Sequence, residues 1–389
     1  MIIQRELYAQ VAPYLDSPEA IVITGMRRAG KTTLLRFIHD KIHSQNKLFL
    51  DLENPLNQKY FEQEDFEQIH YTLETLGIVF TKRAYIFLDE IQLVKRIPQV
   101  VKYLMDHYQA KFFLSGSASF YLKNLFSESL AGRKYVFELF PFSFIEFLEL
   151  KRVKLQIPEH SKITQPIFET VSRYYNEYME FGGFPQVIIK PSLTEKKAAL
   201  NDIFSSYFQL EVKQLSDFRK LDKVRDLILL LMERIGTKVD IQKLSQELGI
   251  SRETLYEYLA FLEGTYLIKL VKPFSTSRDV EIRKMAKVYA CDSGLANAIA
   301  NISKGTLFEQ TVFQSLRIRN QLHYYQRKGG AEIDFIVNRD RAYEVKTNPT
   351  HSDLRKLEKI SCSIGFNIYA IISCNDSPLE HVCYGFEVH

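Results

Sequence analysis

The sequence predicts an α/β protein: a mostly parallel sheet covered by helices on both faces, then a helical middle, then a smaller α/β domain. Three observations predict it. Short runs of Ile, Val, Leu and Phe alternate with helical periods through the first 150 residues. Helical periodicity dominates residues 151–300. Residues 305–389 read helix, three strands, helix, strand. A chain of 389 residues is long for a single core. The expected divisions are residues 1–150, a helical linker region at 151–220, a helix-turn-helix region at 221–300, and the last domain at 301–389.

Composition is that of an ordinary soluble chain, with 46% hydrophobic and 25% charged residues. A net charge of +4 is mildly basic and identifies no partner. The four cysteines, Cys291, Cys362, Cys374 and Cys383, form no C-x-x-C pair and are expected to be buried, reduced thiols of a cytosolic protein. The amino terminus reads as no signal peptide, and no apolar run approaches the roughly 20 residues of a membrane helix, so no membrane partner is expected.

The first strand is the apolar run Ala20–Thr24. It runs into Gly25-Met26-Arg27-Arg28-Ala29-Gly30-Lys31-Thr32, which fits G-x-x-x-x-G-K-[ST], and then into a helix with Leu34, Leu35, Ile38 and Ile42 on one face. The two glycines let successive backbone N–H groups turn inward on phosphate oxygens, and the helix N-terminus adds its positive end. Lys31 is expected to reach the outer phosphates and Thr32 to take a place on Mg²⁺. Arg27, Arg28, Ala29 and Thr33 complete the expected ATP-binding set, with solvent exposure of the two arginines equally open.

The run AYIFLDE, residues 84–90, is a second strand with acids at its end. Asp89 is expected to hold Mg²⁺ and Glu90 to act as general base on the attacking water. A further strand, residues 111–119, ends in hydroxyls, so Ser115 or Ser117 is a candidate sensor between the two strands, or else an ordinary turn residue. Arg133 is a candidate arginine finger, toward its own ATP or a neighbour's, or else a plain surface residue. Two more strands fit at 47–53 and 134–139. The ligand is then expected beyond the strands' carboxyl ends.

In the middle, Gly182-Gly183 breaks a helix. Residues 238–263 have the pattern of a helix-turn-helix: Gly249 at the turn, Ser251 as cap, and Leu255, Leu259 and Leu262 on a buried face. Segments 266–274 and 287–292 are expected to form a wing. Against one cation, Arg252, the second helix carries Glu253, Glu257 and Glu263, which favours protein contact or a structural role over docking against phosphate.

The last domain has the element order of a restriction-endonuclease-like core. Asp334, on EIDFIV, and Glu344, on AYEVK, are expected to meet across a hairpin, with Lys346 on the same face as Glu344 and Glu309 completing the cluster. Converging carboxylates suit Mg²⁺, and Lys346 is then placed to orient water or stabilise phosphate charge. A solvated ion pair on a wet strand face is the competing account.

GMRRAGKTTLL, YIFLDEIQ, LSGSAS and LAGR, with EFGGFPQV, LFEQTVFQSL, YYQRKGGAEIDFIV and YEVK, resemble the archaeal and bacterial AAA-type ATPases that carry an uncharacterised C-terminal region. The resemblance implies an AAA-type P-loop sheet, ATP as ligand, a winged helix and a restriction-endonuclease-like domain. It supplies no substrate. Two functions are therefore expected: an ATPase coupled to a nuclease-like domain that engages DNA or other nucleic acid, or an ATP-dependent switch or scaffold whose last domain only makes protein contacts. A homo-oligomer or protein partner is compatible with both.

Overall fold

A computed structural model describes residues 3–116, 130, 132–213, 220–275, 277–327 and 329–388. The candidate sensor Ser117 lies outside them. The chain forms two compact units. One is residues 1–140 with 264–266, and the other is 141–263 with 267–389.

The first unit is built on five strands: β1 (Ala20–Thr24), β2 (Lys47–Asp51), β3 (Ala84–Asp89), β4 (Ala110–Gly116) and β5 (Lys134–Glu138). Their order is β2-β3-β4-β1-β5 and every pairing is parallel. β1 and β4 are buried at every position, as a central parallel strand must be when both faces are covered. Alternate residues feed two cores. Val22, Ile86, Leu88, Phe112 and Leu114 face Ile69, Leu73, Val100 and Leu104 of the helices Phe66–Thr75 and Ile97–His107. Ile21, Ile23, Phe87 and Phe113 face Leu34, Leu35 and Ile38 of the helix Lys31–Lys41.

The second unit begins ten residues before the expected boundary at 150, and it takes in what were expected to be three separate regions. The helix Phe144–Leu150 belongs to it because Phe144 and Phe147 pack on Tyr178 of the helix Gln165–Phe181, with ring centroids 5.6 and 5.5 Å apart. The Gly182-Gly183 break is a close crossing. A Cβ on Gly182 would stand 1.9 Å from Asp292 Oδ1, and Gly183 N–H donates to Asp292 Oδ2 at 2.7 Å.

Next come the helices Leu221–Glu233, Ile241–Leu248 and Arg252–Gly264, and the antiparallel pair β6 (Ile268–Val271) and β7 (Lys287–Ala290). Gly249 is left-handed at φ 63°, and Ser251 Oγ accepts from Thr254 N–H at 3.1 Å, as the turn and cap require. The last sheet has the order β12-β11-β10-β9-β8, from β8 (Leu322–Gln326), β9 (Glu332–Val337), β10 (Arg341–Lys346), β11 (Ile368–Ser373) and β12 (Val382–Tyr384). β12 has no counterpart in the sequence reading. The helix Lys304–Leu316 is buried nearly all round rather than along one stripe. Its Gln310 and Gln314 accept from the backbone N–H groups of Ala290 and Ser293 at 2.8 and 2.9 Å. Of the cysteines only Cys291 is buried; Cys362 is exposed and Cys374 and Cys383 are half-buried, all four as free thiols. Among the described residues, no helix is long and apolar enough to cross a membrane.

Candidate nucleotide site and a carboxylate cluster

The loop after β1 curls because Gly25, Arg28 and Gly30 all adopt positive φ, at 152°, 66° and 101°. That curvature turns backbone N–H groups into a concave nest suited to anions. Gly25 has a second constraint: a Cβ there would stand 2.1 Å from the Leu139 carbonyl oxygen. The helix Lys31–Lys41 opens with Gly30 as its N-cap and no capping side chain, so its first N–H groups face the loop. Lys31 is buried, and its ammonium rests on the loop's own carbonyls, Gly25 at 3.0 Å and Met26 at 3.1 Å. Thr32 is half-buried in the first turn and Thr33 is exposed. Arg27 pairs with Glu53 at 2.8 Å.

β4 lies between β1 and β3, so Ser115 stands beside Asp89 at the carboxyl ends of adjacent strands. Ser115 Oγ donates to Asp89 Oδ1, and both residues are buried. Glu90 follows in a left-handed conformation (φ 54°, ψ 46°), a strained choice for a residue with a Cβ, and its carboxylate accepts from the Gln92 amide. Strand order, loop and acids thus converge at one end of the sheet, the position where open α/β sheets bind ligands. The donor set fits a Mg²⁺-bound triphosphate: an amide nest, a buried lysine, a threonine in the first helical turn and a buried aspartate on the neighbouring strand.

Two residues correct the sequence reading. Arg133 directly precedes β5, and its carbonyl accepts from Ala20 N–H at the start of β1, so it lies at the amino end of the sheet, away from the phosphate loop. Its guanidinium pairs with Asp106. It is therefore no finger on its own chain's loop. Arg5 was missed. It is buried and donates to the carbonyls of Ala29 and Phe140, each at 2.8 Å, bracing the loop from behind. No motif marks it, because its partners are backbone atoms.

In the second unit the hairpin brings Asp334 toward Glu344 as expected. Arg341, Ala342 and Tyr343 pair antiparallel with Val337, Ile336 and Phe335. One step on, the Asp334 side chain takes over the ladder, with Oδ2 accepting from Val345 N–H at 2.9 Å. Lys346 donates to Glu344 at 2.7 Å. Glu309 is on the same cluster and accepts from Tyr289 OH at 2.7 Å. Sequence reasoning missed the cation. Lys287, on β7 and only 3% exposed, lies 2.5 Å from Glu332, 3.5 Å from Asp334 and 3.8 Å from Glu309.

Burial and the Asp334 charge hold both Glu309 and Glu344 well above the usual carboxylate range. Burial works against the charge of Lys287, but Glu309, Asp334 and Glu332 outweigh it and hold the ammonium above an ordinary lysine. Burial likewise opposes ionisation of Glu332, yet Lys287 and Lys238 bring it below the usual range. Among the described residues, no three or more His, Cys, Asp or Glu are grouped so as to hold a metal ion.

Residues 17–148 match the family model described as AAA domain. Residues 172–306 and 304–382 match two models described as domains of unknown function (DUF8612 and DUF4143). An uncharacterised protein of Methanocaldococcus jannaschii, MJ1544, is 27% identical over all of this chain and 88% of its own length. An uncharacterised protein of Haemophilus influenzae is 27% identical over 90% of each. Among solved structures, the Walker-type ATPase paby2304 of Pyrococcus abyssi aligns with a TM-score of 0.46 at 15% identity, over 77% of this chain and 96% of that one. The Aeropyrum pernix ORC1 protein, solved in complex with DNA, aligns with a TM-score of 0.34 at 12% identity, over 77% and 93%. The family match, the all-parallel sheet and the phosphate loop agree: residues 17–148 are similar to an AAA domain, and the N-terminal region has the α/β fold of a P-loop NTPase.

Proposed function

We propose that the chain is a Mg²⁺-dependent ATPase whose nucleotide state acts on a C-terminal nuclease-like domain that engages nucleic acid. The observation that carries the ATPase half is the row formed by the phosphate loop, Ser115, Asp89 and Glu90 at adjoining strand ends. Backbone amides of Gly25–Thr32 cradle the phosphates, with Arg27, Arg28 and Ala29 in the loop and Thr33 behind it. Lys31 leaves the loop carbonyls for the outer phosphates. Thr32 and Asp89 would hold Mg²⁺, which when bound neutralises charge on the β- and γ-phosphates. Ser115 fixes the Asp89 carboxylate, and Glu90 accepts the proton of the attacking water.

For the rest, the helices and antiparallel pair between 221 and 290 support a winged helix, and the order of the last sheet supports a restriction-endonuclease-like core. The test is Glu90→Gln with ATP turnover and ATP affinity measured together, each with and without DNA. Turnover should fall about 100-fold or more with affinity kept, and DNA should raise the parent's turnover. Unchanged turnover in the variant removes Glu90 as base; no effect of DNA and no DNA binding at low salt removes the nucleic-acid half.

A second reading, an ATP-dependent switch or scaffold whose last domain does not cut, is favoured by one observation: the Lys287 ammonium is seated on the carboxylates. Cleavage of DNA with Mg²⁺ or Mn²⁺ that disappears in Asp334→Ala would overturn it.

A further inference from the structure

A nuclease core of this element order calls for a divalent cation where its carboxylates converge, and the residues here do not fit one. The three carboxylates of Glu332, Asp334 and Glu309 already meet on a single atom, Lys287 Nζ, within 3.8 Å. Each has a further partner. Asp334 accepts from Val345 N–H, Glu309 from Tyr289 OH, and Glu332 from Lys238 at 3.3 Å. Glu344 is engaged by Lys346. Lys287 is also fixed by its surroundings. It lies on a strand whose four residues are all buried, and its ammonium stands 5.6 Å from the centroid of the Tyr324 ring. A hard divalent ion brought to the same focus would meet a buried ammonium at close range and be repelled by it.

We infer that Lys287 is the resident cation of this cluster and that it excludes a divalent metal from Asp334 and Glu309. The strand that carries it comes from the antiparallel pair ahead of the last domain, so the middle region closes the site of the last one. This rests on the nuclease-like reading only for the expectation that a metal belongs there; the ion pairs themselves do not depend on it.

The experiment is a Mn²⁺ titration of the full-length chain without nucleotide, with free Mn²⁺ read by electron paramagnetic resonance. Parent, Asp334→Asn, Lys287→Met, Lys287→Gln, and each Lys287 variant combined with Asp334→Asn are compared. The parent should show no Asp334-dependent site below roughly 1 mM. A folded Lys287 variant should gain one, and its Asp334→Asn partner should lose it. A parent site that Asp334→Asn abolishes overturns the inference whether or not either Lys287 variant folds. A folded Lys287 variant that gains no site also overturns it. DNA cleavage is scored separately: a gained Mn²⁺ site without cleavage upholds the inference and counts against the nuclease-like reading.

Discussion

The Arg5 guanidinium donates to the Ala29 carbonyl at 2.8 Å, in the middle of the phosphate loop. A second arm reaches Phe140 O at 2.8 Å, so one buried cation joins the chain's beginning, its loop and the segment after β5. Arg5→Ala should weaken ATP affinity about tenfold and lower stability by about 1.5–3 kcal/mol, although Arg5 is placed behind the loop. Arg5→Lys should recover little of either, since a single ammonium does not reproduce the planar fork. Fluorescent-nucleotide titration and urea denaturation check both. Wild-type affinity in Arg5→Ala would remove the bracing role.

Ser115→Ala takes away the hydroxyl that donates to Asp89. ATP turnover should fall about tenfold or more with KM nearly unchanged, the pattern of an interaction that matters in the transition state. Steady-state kinetics decide, and a rise in KM alone would recast Ser115 as a binding residue.

Two glycines in helices should respond in opposite ways. A Cβ on Gly294 would stand 2.1 Å from the Phe181 carbonyl carbon and 2.5 Å from Gly182 N, all backbone that has nowhere to move. Gly294→Ala should destabilise the second unit by about 3 kcal/mol or more. At Gly305 the nearest atom is Thr347 Oγ1 at 3.9 Å, and Gly305→Ala should stabilise by up to about 1 kcal/mol. Denaturation midpoints of the two variants test the contrast.

Asp292 is fully buried, and burial pushes its carboxyl up to about 6 from 3.8, against the Gly183 and Leu295 N–H groups and the Arg317 charge that favour ionisation. A carboxyl with its folded pKa above its unfolded value binds a proton on folding. Its stabilising contribution is therefore complete below the unfolded pKa and is lost as pH rises through about 6. The loss across that window is about 3 kcal/mol. Asp292→Asn should abolish this dependence and cost about 1–3 kcal/mol at neutral pH, because one amide oxygen faces two N–H donors. Unfolding free energies of parent and variant from about pH 4 to 7 give the answer; a gap that stays constant across the range contradicts it.

The candidate nucleotide site was legible because its chemistry is local. Gly25 to Thr32 is one unbroken stretch of loop and first helical turn, and Asp89-Glu90 ends an apolar run, so spacing alone placed them. Ser115, which stands beside Asp89, was one of two candidates offered by a strand that ends in hydroxyls. What stayed hidden depends on partners far apart in sequence or on backbone atoms. Arg5 answers carbonyls, which carry no residue code. Lys287, in a strand that read as part of a wing, has the look of a surface lysine until β9 and the helix Lys304–Leu316 close over it. Gln310 and Gln314 are polar, yet they are buried, with their amides taken up by the main chain at Ala290 and Ser293. Arg133 stayed open between a finger and a surface residue for a related reason: nearness in sequence to an apolar run says nothing about which end of the sheet it occupies.

That pair of glutamines has a practical consequence. Family boundaries fall at residues 304 and 306, on the very helix whose amides the preceding segment requires. A fragment beginning there would carry Tyr289's neighbours Phe313 and Phe335 without Tyr289, and Gln310 without Ala290. Swapping this terminal piece between relatives should therefore yield misfolded hybrids unless residues 287–293 travel with it.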